Sequence, residues 1–313
     1  MAVFKFILNN FFEAVYCIGY RRTEKTIWDE RISSFHVLKP SWKYWYADPV
    51  PARINGQNYV FVEQYNRYAG VGHIGISKWK ENGKLSRPQI IIQEKTHMSF
   101  PMIVPYKGRY YMIPESSQTE TIEIYCMGDS PYCWKHYYSI PINEKIVDLC
   151  YMVQEDDSIL LLGGVPKQEN EHYTARKLIH LKNLDKKELL TWEQVSCDNE
   201  YTLYFRAAGN FFEKNQKIYR PTQESTENIY GLYVDLFEQN KIGLSGIKEE
   251  RVDRKSVKDI KVSLNPFLYK KVGIHTYGIN NDGLEVIDIS CVHPSLFPLI
   301  HKIVHMSSRK EEK

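Results

Sequence analysis

Short runs of alternating apolar and polar residues, cut by turn residues, fill most of this chain, and one phrase returns five times. Each return is an apolar run headed by a polar residue, then a turn, then a second apolar run. The first runs from Ala47 through Asp48 and Pro49 to Ile54, turns at Asn55-Gly56 and comes back as Tyr59–Tyr65, which carries Glu63. The second opens on His97-Met98-Ser99-Phe100-Pro101, turns at Lys107-Gly108 and ends its return on Glu115. The third opens on Val147-Asp148 and turns at Asp156-Asp157. The fourth opens on Phe205-Arg206-Ala207-Ala208-Gly209, turns near Lys214-Asn215 and returns through Arg220 and Gln223. The fifth opens on Ile274-His275-Thr276, turns at Asp282-Gly283 and returns through Asp288. Asn-Gly between two alternating runs is a strong hairpin signal.

Third strands follow at 73–77, 122–125, 176–180 and 231–235. Trp79, Trp134 and Trp192, each following one of the first three units, read as packing residues between units. The polar stretches Lys167–Tyr173 and Gln239–Lys258 read as rim loops. A return every ~50–70 residues is the spacing of radial repeats, in which no unit hides its apolar faces alone. The predicted fold is therefore all-β: a five-bladed β-propeller over residues 41–292. An N-terminal extension (1–40) packs on it, and a short helical tail (293–313) follows it. In the extension, Phe4, Ile7, Leu8, Phe11, Phe12 and Val15 fall on one face at helical spacing. That helix either packs on the propeller rim or lies on a membrane surface. The segment Phe4–Tyr20 is too short and too polar to span a bilayer, and it lacks the cleavage site of a signal peptide.

In a propeller the first strand of each blade lines the central channel, so its early residues meet at one mouth. That places Asp48, Ser99 or Pro101, Asp148, Arg206 and His275 together, with Glu63, Glu115, Arg220, Gln223 and Asp288 from second strands and His97 beside them. Carboxylates, guanidinium and imidazole groups in one funnel suit acid–base work and the binding of an anionic, hydroxyl-rich ligand. Each residue also has a plainer reading. Asp before Pro shapes turns, but a charge at the head of an apolar run is costly without a task or a partner. Glu63 could pair with Arg53 or Arg67, and Arg206 and Arg220 could be partners of the carboxylates rather than phosphate ligands. His275 and Thr276 could be core groups.

Composition narrows the classes. The chain has 313 residues with 43% hydrophobic residues, enough for a large core, and 23 tyrosines that suit strands and sugar-stacking surfaces. A formal net charge of +3 gives no case for a nucleic-acid partner. The basic clusters at Arg21-Arg22, Arg251 to Lys255 and Arg309 to Lys313 are local; they are solvated surface or a weak attraction to anionic headgroups. The six cysteines lack metal-ligand spacing and read as free thiols in a reducing compartment. No cofactor is called for, although Asp48, Glu63 and Asp148 could hold a divalent metal through water.

The phrases WYADPV, FVEQY, HMSFP, MIPES, YRPTQ, Tyr230-Gly231, IHTYGIN and VID resemble the N-terminal domain of glucosamine inositolphosphorylceramide transferase and its bacterial relatives, over residues 40–290. That group in turn resembles the five-bladed propellers of glycoside hydrolase family 43. The resemblance implies that Asp48 matches the hydrolases' base and Asp148 the Asp that tunes and orients. Where the hydrolases' acid Glu is expected, the fourth blade opens instead with Arg206. Glu115 or Glu63 could replace it only if the geometry allowed. Bacterial relatives are associated with surface-polysaccharide assembly.

Together these point to a cytoplasmic glycosyltransferase, at the inner face of the membrane, acting on a phosphate-activated sugar donor and a glycan or lipid-linked acceptor. Its catalytic set is Asp48, Glu115 and Asp148. Its substrate-binding set is Glu63, His97, Arg206, Arg220, Gln223 and His275. The rival expectations are an inverting glycosidase and a glycan-binding module without turnover.

Overall fold

The computed structural model describes residues 11–299 apart from 117, 186–191, 198–200, 228 and 244–245. Two strands come first, β1 (Phe12–Arg22) and β2 (Ser33–Leu38). The first blade follows as β3 (Tyr44–Ile54), β4 (Gln57–Asn66), β5 (Val71–Lys78) and β6 (Gln89–Ile92). The second is β7 (Ser99–Tyr106), β8 (Arg109–Glu115), β9 (Thr121–Met127) and β10 (Trp134–Pro141). The third is β11 (Val147–Val153), β12 (Ile159–Lys167), β13 (Asn170–Leu181) and β14 (Trp192–Cys197). The fourth is β15 (Phe212–Lys214), β16 (Lys217–Glu224), β17 (Tyr233–Gly243) and β18 (Gly246–Lys255). The last strands are β19 (Ile260–Val262), β20 (Lys270–Gly273), β21 (Tyr277–Ile279) and β22 (Leu284–Pro294). Four blades are four-stranded antiparallel meanders, and the fifth sheet orders its strands β19-β2-β1-β22-β20, with β21 also paired to β22.

That fifth sheet closes the ring and corrects the expected domain boundaries. β1 pairs antiparallel with β22 from Phe12 opposite Pro294 to Arg22 opposite Leu284. The first blade-forming strand of the chain is therefore hydrogen-bonded to the last, so β1 and β2 belong to the propeller and not to a separate extension. Residues 12–22 are strand, not helix. Of the remaining positions of the expected helix, Phe11 precedes the strand, and Phe4, Ile7 and Leu8 lie outside the described residues. Strand β22 continues through Pro294, past the expected end of the propeller, and a helical turn starts only at 297. The two segments read as rim loops also differ. Lys167–Tyr173 is a tight connection between β12 and β13, and Gln239–Lys258 is mostly the β17–β18 hairpin. Ladder hydrogen bonds carry these polar strands where side-chain pattern gives no signal.

The turns are where the residues put them. Asn55-Gly56 and Lys107-Gly108 both have two consecutive positive φ values, the type I′ geometry that matches strand twist. The fourth-blade turn falls on Asn215-Gln216, one residue past the expected pair. Each seam between neighbouring blades holds one apolar cluster. Ile54, Phe61 and Ile76 meet Met112 and Trp134 in the first. Ile113 and Ile140 meet Leu161 and Ile179 in the next. The other three seams are filled by the groups around Leu160 and Ala207, around Val234 and Ile289, and around Ile18 and Val62. Trp134 sits edge-on to Phe61 and Trp79 edge-on to Tyr20, which is the seam-packing role expected of both. Burying these faces against each other is what makes five incomplete units one body.

Candidate functional site

A single backbone device, repeated three times, aims the site. The first-strand ladders of blades one, two and three each carry a bulge, at Ala47/Val50, Ser99/Met102 and Val147/Cys150. Inside each bulge one residue has left-handed backbone: Asp48 (φ 49°), Phe100 (φ 44°) and Asp148 (φ 50°). Bulges of this kind re-aim a side chain, and left-handed backbone in residues other than glycine concentrates at functional sites. The equivalence also shows that Phe100, between the expected Ser99 and Pro101, is the second-blade counterpart of the two aspartates.

Asp48 reaches a closed charge network. His275 Nε2 lies 3.2 Å from Asp48 Oδ1, and His275 Nδ1 lies 2.8 Å from Asp288 Oδ2. The other Asp48 oxygen accepts the Phe100 backbone N–H at 3.2 Å. Asp288 accepts three more: from Asp48 N at 3.1 Å, His275 N at 3.1 Å and Thr276 N at 2.9 Å. Burial opposes charge on the imidazole, but Asp288 and then Asp48 outweigh it and hold the His275 pKa well above its ordinary value. Burial likewise opposes charge on Asp288, yet His275 and the backbone donors keep its pKa below the usual range. Asp48 is pushed the other way, upward, because burial outweighs its pairing with His275. Asp48 is thus an oriented carboxylate with raised proton affinity, backed by an imidazolium.

The second group faces it across the mouth. Asp148 accepts Arg206 Nε and, at 2.9 Å, Gln223 Nε2. Glu115 accepts the Asp148 backbone N–H at 2.9 Å. Burial, with Asp148 adding to it against Arg206, pushes the Glu115 carboxyl up to about 8, so it is protonated at neutral pH. The Arg206 guanidinium also stacks over the Tyr230 ring, 5.0 Å from its centroid, and Tyr230 in turn packs 5.3 Å from the His275 ring. Arg206 reaches Asp148 through Nε, and its two terminal nitrogens donate no hydrogen bond among the described residues.

Glu63 and His97 form a third group. Gly72 N–H donates to His97 Nδ1 at 3.0 Å, so the neutral ring carries its proton on Nε2, 3.3 Å from Glu63 Oε1. The approach is out of line, and Glu63 Oε1 keeps no hydrogen-bond partner among the described residues. Burial, then Asp48, raise the Glu63 pKa well above the usual range, and burial lowers that of His97. Gly72 has to be glycine, because a Cβ there would stand 2.6 Å from Glu63 Oε1 and from the Met98 carbonyl. Gly231, at φ +60°, lets the backbone pass over His275, 2.3 Å from where its Cβ would be.

Eight of the nine expected site residues (Asp48, Glu63, His97, Glu115, Asp148, Arg206, Gln223 and His275) thus fall within these three groups. Arg220 is the exception. It is fully buried, bonded to Glu249 through Nε at 3.0 Å and through Nη2, and donates to the Phe205 carbonyl at 3.2 Å. Burial opposes charge on Glu249, but Arg220 holds its carboxyl down to about 2. Arg220 therefore ties β16 to β18 inside the protein and is no phosphate clamp. Along β16 it alternates with Gln223, which is why one of the pair faces the funnel and the other does not.

The sequence reading missed the aromatic wall. Tyr16 packs 5.0 Å from His275 and 5.1 Å from Trp45, Trp45 stacks on Tyr65 at 4.2 Å, and Tyr65 lies 6.0 Å from His97. Trp45 and Tyr65 were legible as neighbours of Asp48 and Glu63. Tyr16 was hidden by the helical reading of its strand. Stacked and half-exposed rings beside carboxylates make a surface that fits sugar rings.

Among the described residues, the one group placed to share a metal is Asp48, His275 and Asp288. Its chemistry fits a proton better. Both Asp288 oxygens already take backbone donors, and each imidazole nitrogen faces a carboxylate. The expected water-mediated trio of Asp48, Glu63 and Asp148 does not form such a group. A cavity of 1390 Å³ opens elsewhere, at the far end of the channel, lined by the later halves of the first strands around Arg53, Ile103, Tyr151 and Gly278. The acid–base residues are not part of it.

Solved structures of known proteins share this fold. The catalytic domain of a glycoside hydrolase family 62 α-L-arabinofuranosidase from Coprinopsis cinerea has the same fold at 10% identity, with a TM-score of 0.56 over 87% of this chain and 97% of that one. A family 43 β-xylosidase/α-arabinofuranosidase from a compost microbial metagenome matches at 13% identity and a TM-score of 0.53, over 88% and 94% of the two chains. In sequence, glucosamine inositolphosphorylceramide transferase 1 of Arabidopsis thaliana is 27% identical over 191 residues, 59% of this chain and 24% of its own length. The protein of that name in Oryza sativa subsp. indica is 24% identical over 212 residues, 66% and 28% of the two. The chain therefore spans about a quarter of these relatives' length. The family described as glucosamine inositolphosphorylceramide transferase 1, N-terminal, matches residues 40–274, three quarters of the chain and all the site residues up to the edge of His275, and the chain belongs to that family.

Proposed function

We propose that the funnel transfers a sugar from a phosphate-activated donor to a hydroxyl acceptor. The observation that carries this is Arg206: a buried guanidinium, oriented by Asp148 and Tyr230, sits beside the carboxylates, and the family resemblance leads one to expect an acid glutamate there instead. Transfer needs a cation there. The acceptor O–H gives its proton to Asp48, the acceptor oxygen bonds to the anomeric carbon, and the carbon–oxygen bond to phosphate breaks. The electron pair leaves with the phosphate, whose charge the Arg206 terminal nitrogens neutralise. Gln223 and protonated Glu115 hold Asp148 and the arginine in place, and Trp45, Tyr65 and Tyr16 offer faces for the sugar rings. The relatives' name supports an inositolphosphorylceramide-type lipid as the acceptor class, and surface-glycan assembly at the cytoplasmic face of a membrane is the setting this reading proposes.

One observation favours a second reading. A Glu115 carboxyl neutral at pH 7 is what a glycosidase acid requires. Incubating purified protein with sugar nucleotides and with aryl glycosides separates the two. Transfer predicts release of the nucleotide only when a hydroxyl acceptor is present, abolished in Asp48→Asn. Turnover of aryl glycosides in water, lost in Glu115→Gln, would replace transfer with hydrolysis. Glycan binding that survives Asp48→Asn with no turnover would make the funnel a binding module.

A further inference from the structure

The funnel mouth has an exposed apolar shoulder. Phe267 is 90% exposed, Trp42 73% and Leu296 59%, with Tyr68 and Leu268 also exposed. These residues are continuous. Trp42 packs edge-on to Tyr68 at 5.5 Å, and Tyr68 packs edge-on to Phe297, next to Leu296, at 5.1 Å. The Leu268 carbonyl meets His293 Nδ1 at 2.8 Å. A cleft of 390 Å³ runs between them, lined by Trp42, Tyr68, Tyr269, His293 and Phe297.

The shoulder is at the same end of the propeller as the site. Trp42 and Tyr68 lie just past the ends of β3 and β4, where Tyr44 pairs with Asn66, and the same two strands carry Trp45 and Tyr65 down into the funnel. Leu296 and Phe297 follow β22 six or more residues beyond Asp288 in the same direction. Lys39 and Lys270 flank the patch exposed, and Lys43 half-exposed. Arg67, which also lines the cleft, is paired with Glu13. Exposed Trp, Tyr and Phe ringed by lysine, with the acidic charge cancelled, is the composition of a surface that enters an anionic lipid interface.

We infer that this shoulder docks the protein on an anionic phospholipid surface, with the funnel mouth turned toward the bilayer. Long aliphatic and aromatic tips enter the headgroup region, while the lysines meet lipid phosphates. The inference stands on surface chemistry alone and does not require turnover in the funnel, so its failure leaves the proposed transfer untouched.

The test is flotation of the intact protein with vesicles of phosphatidylcholine alone and of phosphatidylcholine with phosphatidylserine. The protein should float with the anionic vesicles and be released by salt. Trp42→Ala with Phe267→Ala should weaken binding about tenfold or more. Lys43→Ala should weaken it about fivefold on anionic vesicles, the weight of one lysine near such a surface. Tyr132→Ala, an exposed tyrosine in the turn between β9 and β10, should leave binding unchanged. These side chains are solvent-facing, and an unchanged thermal melt confirms that the variants fold. Wild-type protein that stays unbound, or double-variant protein that floats like wild type, overturns the inference. So does concentration-dependent self-association that the double variant abolishes without any vesicle binding.

Discussion

Arg206 and Asp148, from the heads of two different blades, meet as a near-buried ion pair at the funnel mouth. In the proposed transfer this pair supplies the positive charge. A guanidinium held by one nitrogen presents the rest of its planar fork in a set direction, which suits a phosphate and cannot supply a proton.

The His275 network makes stability depend on pH at both ends. The His275 pKa is raised, so its contribution is complete below the unfolded value of about 6.5 and fades as pH rises through the folded one. The Asp288 pKa is depressed, so its contribution is present above about 3.9 and fades as pH falls through the folded value. His275→Gln leaves Asp48 and Asp288 buried without a cation, and should cost about 3–5 kcal/mol in urea denaturation near neutral pH. Adding Asp48→Asn should recover part of that loss.

Glu115 gives an opposite-looking but related signature. Its folded pKa is raised to about 8, so its contribution is full below the unfolded value and is lost as pH rises through about 8. Glu115→Gln keeps the size of the side chain and cannot ionise. Its stability curve should therefore be flatter, and the variant should gain on wild type above that pH. Parallel curves for the two proteins would show that Glu115 does not hold its proton.

Arg220 should behave as a structural residue. Arg220→Met takes from Glu249 its two-nitrogen partner and leaves it only Arg176 and Gln239, which should cost about 3 kcal/mol by chemical denaturation, while adding Glu249→Leu recovers part of that. Binding of a sugar nucleotide per folded molecule should match wild type. A selective loss of that binding at unchanged stability would return Arg220 to the site.

The contrast between the two arginines shows what the chain's pattern could reveal. Blade starts were legible because a polar residue heading an apolar run is costly without a purpose, and Asp48, Asp148, Arg206 and His275 all stand there. Hairpins were legible because Asn55-Gly56 and Lys107-Gly108 accept positive φ. The direction of Arg220 was not legible, since it depends on strand phase and on Glu249, a partner within a segment read as loop. The N-terminal strand was not legible either. Phe12 and Val15 fit helical spacing while Val15 and Cys17 fit strand alternation, and only pairing with β22, at the other end of the chain, decides between them. Tyr16 and the ring closure were lost with it, because a contact set by a distant strand leaves little local trace.

The central claim is that Arg206 engages the phosphate of an activated sugar in this funnel. Calorimetric titration with nucleotide sugars, on wild type and Arg206→Gln side by side, tests it most directly. The expected result is saturable binding to wild type that falls by about tenfold or more in the variant, with its fold intact by circular dichroism. Equal binding by the two proteins, or none by wild type for any nucleotide or lipid-linked sugar, would contradict it.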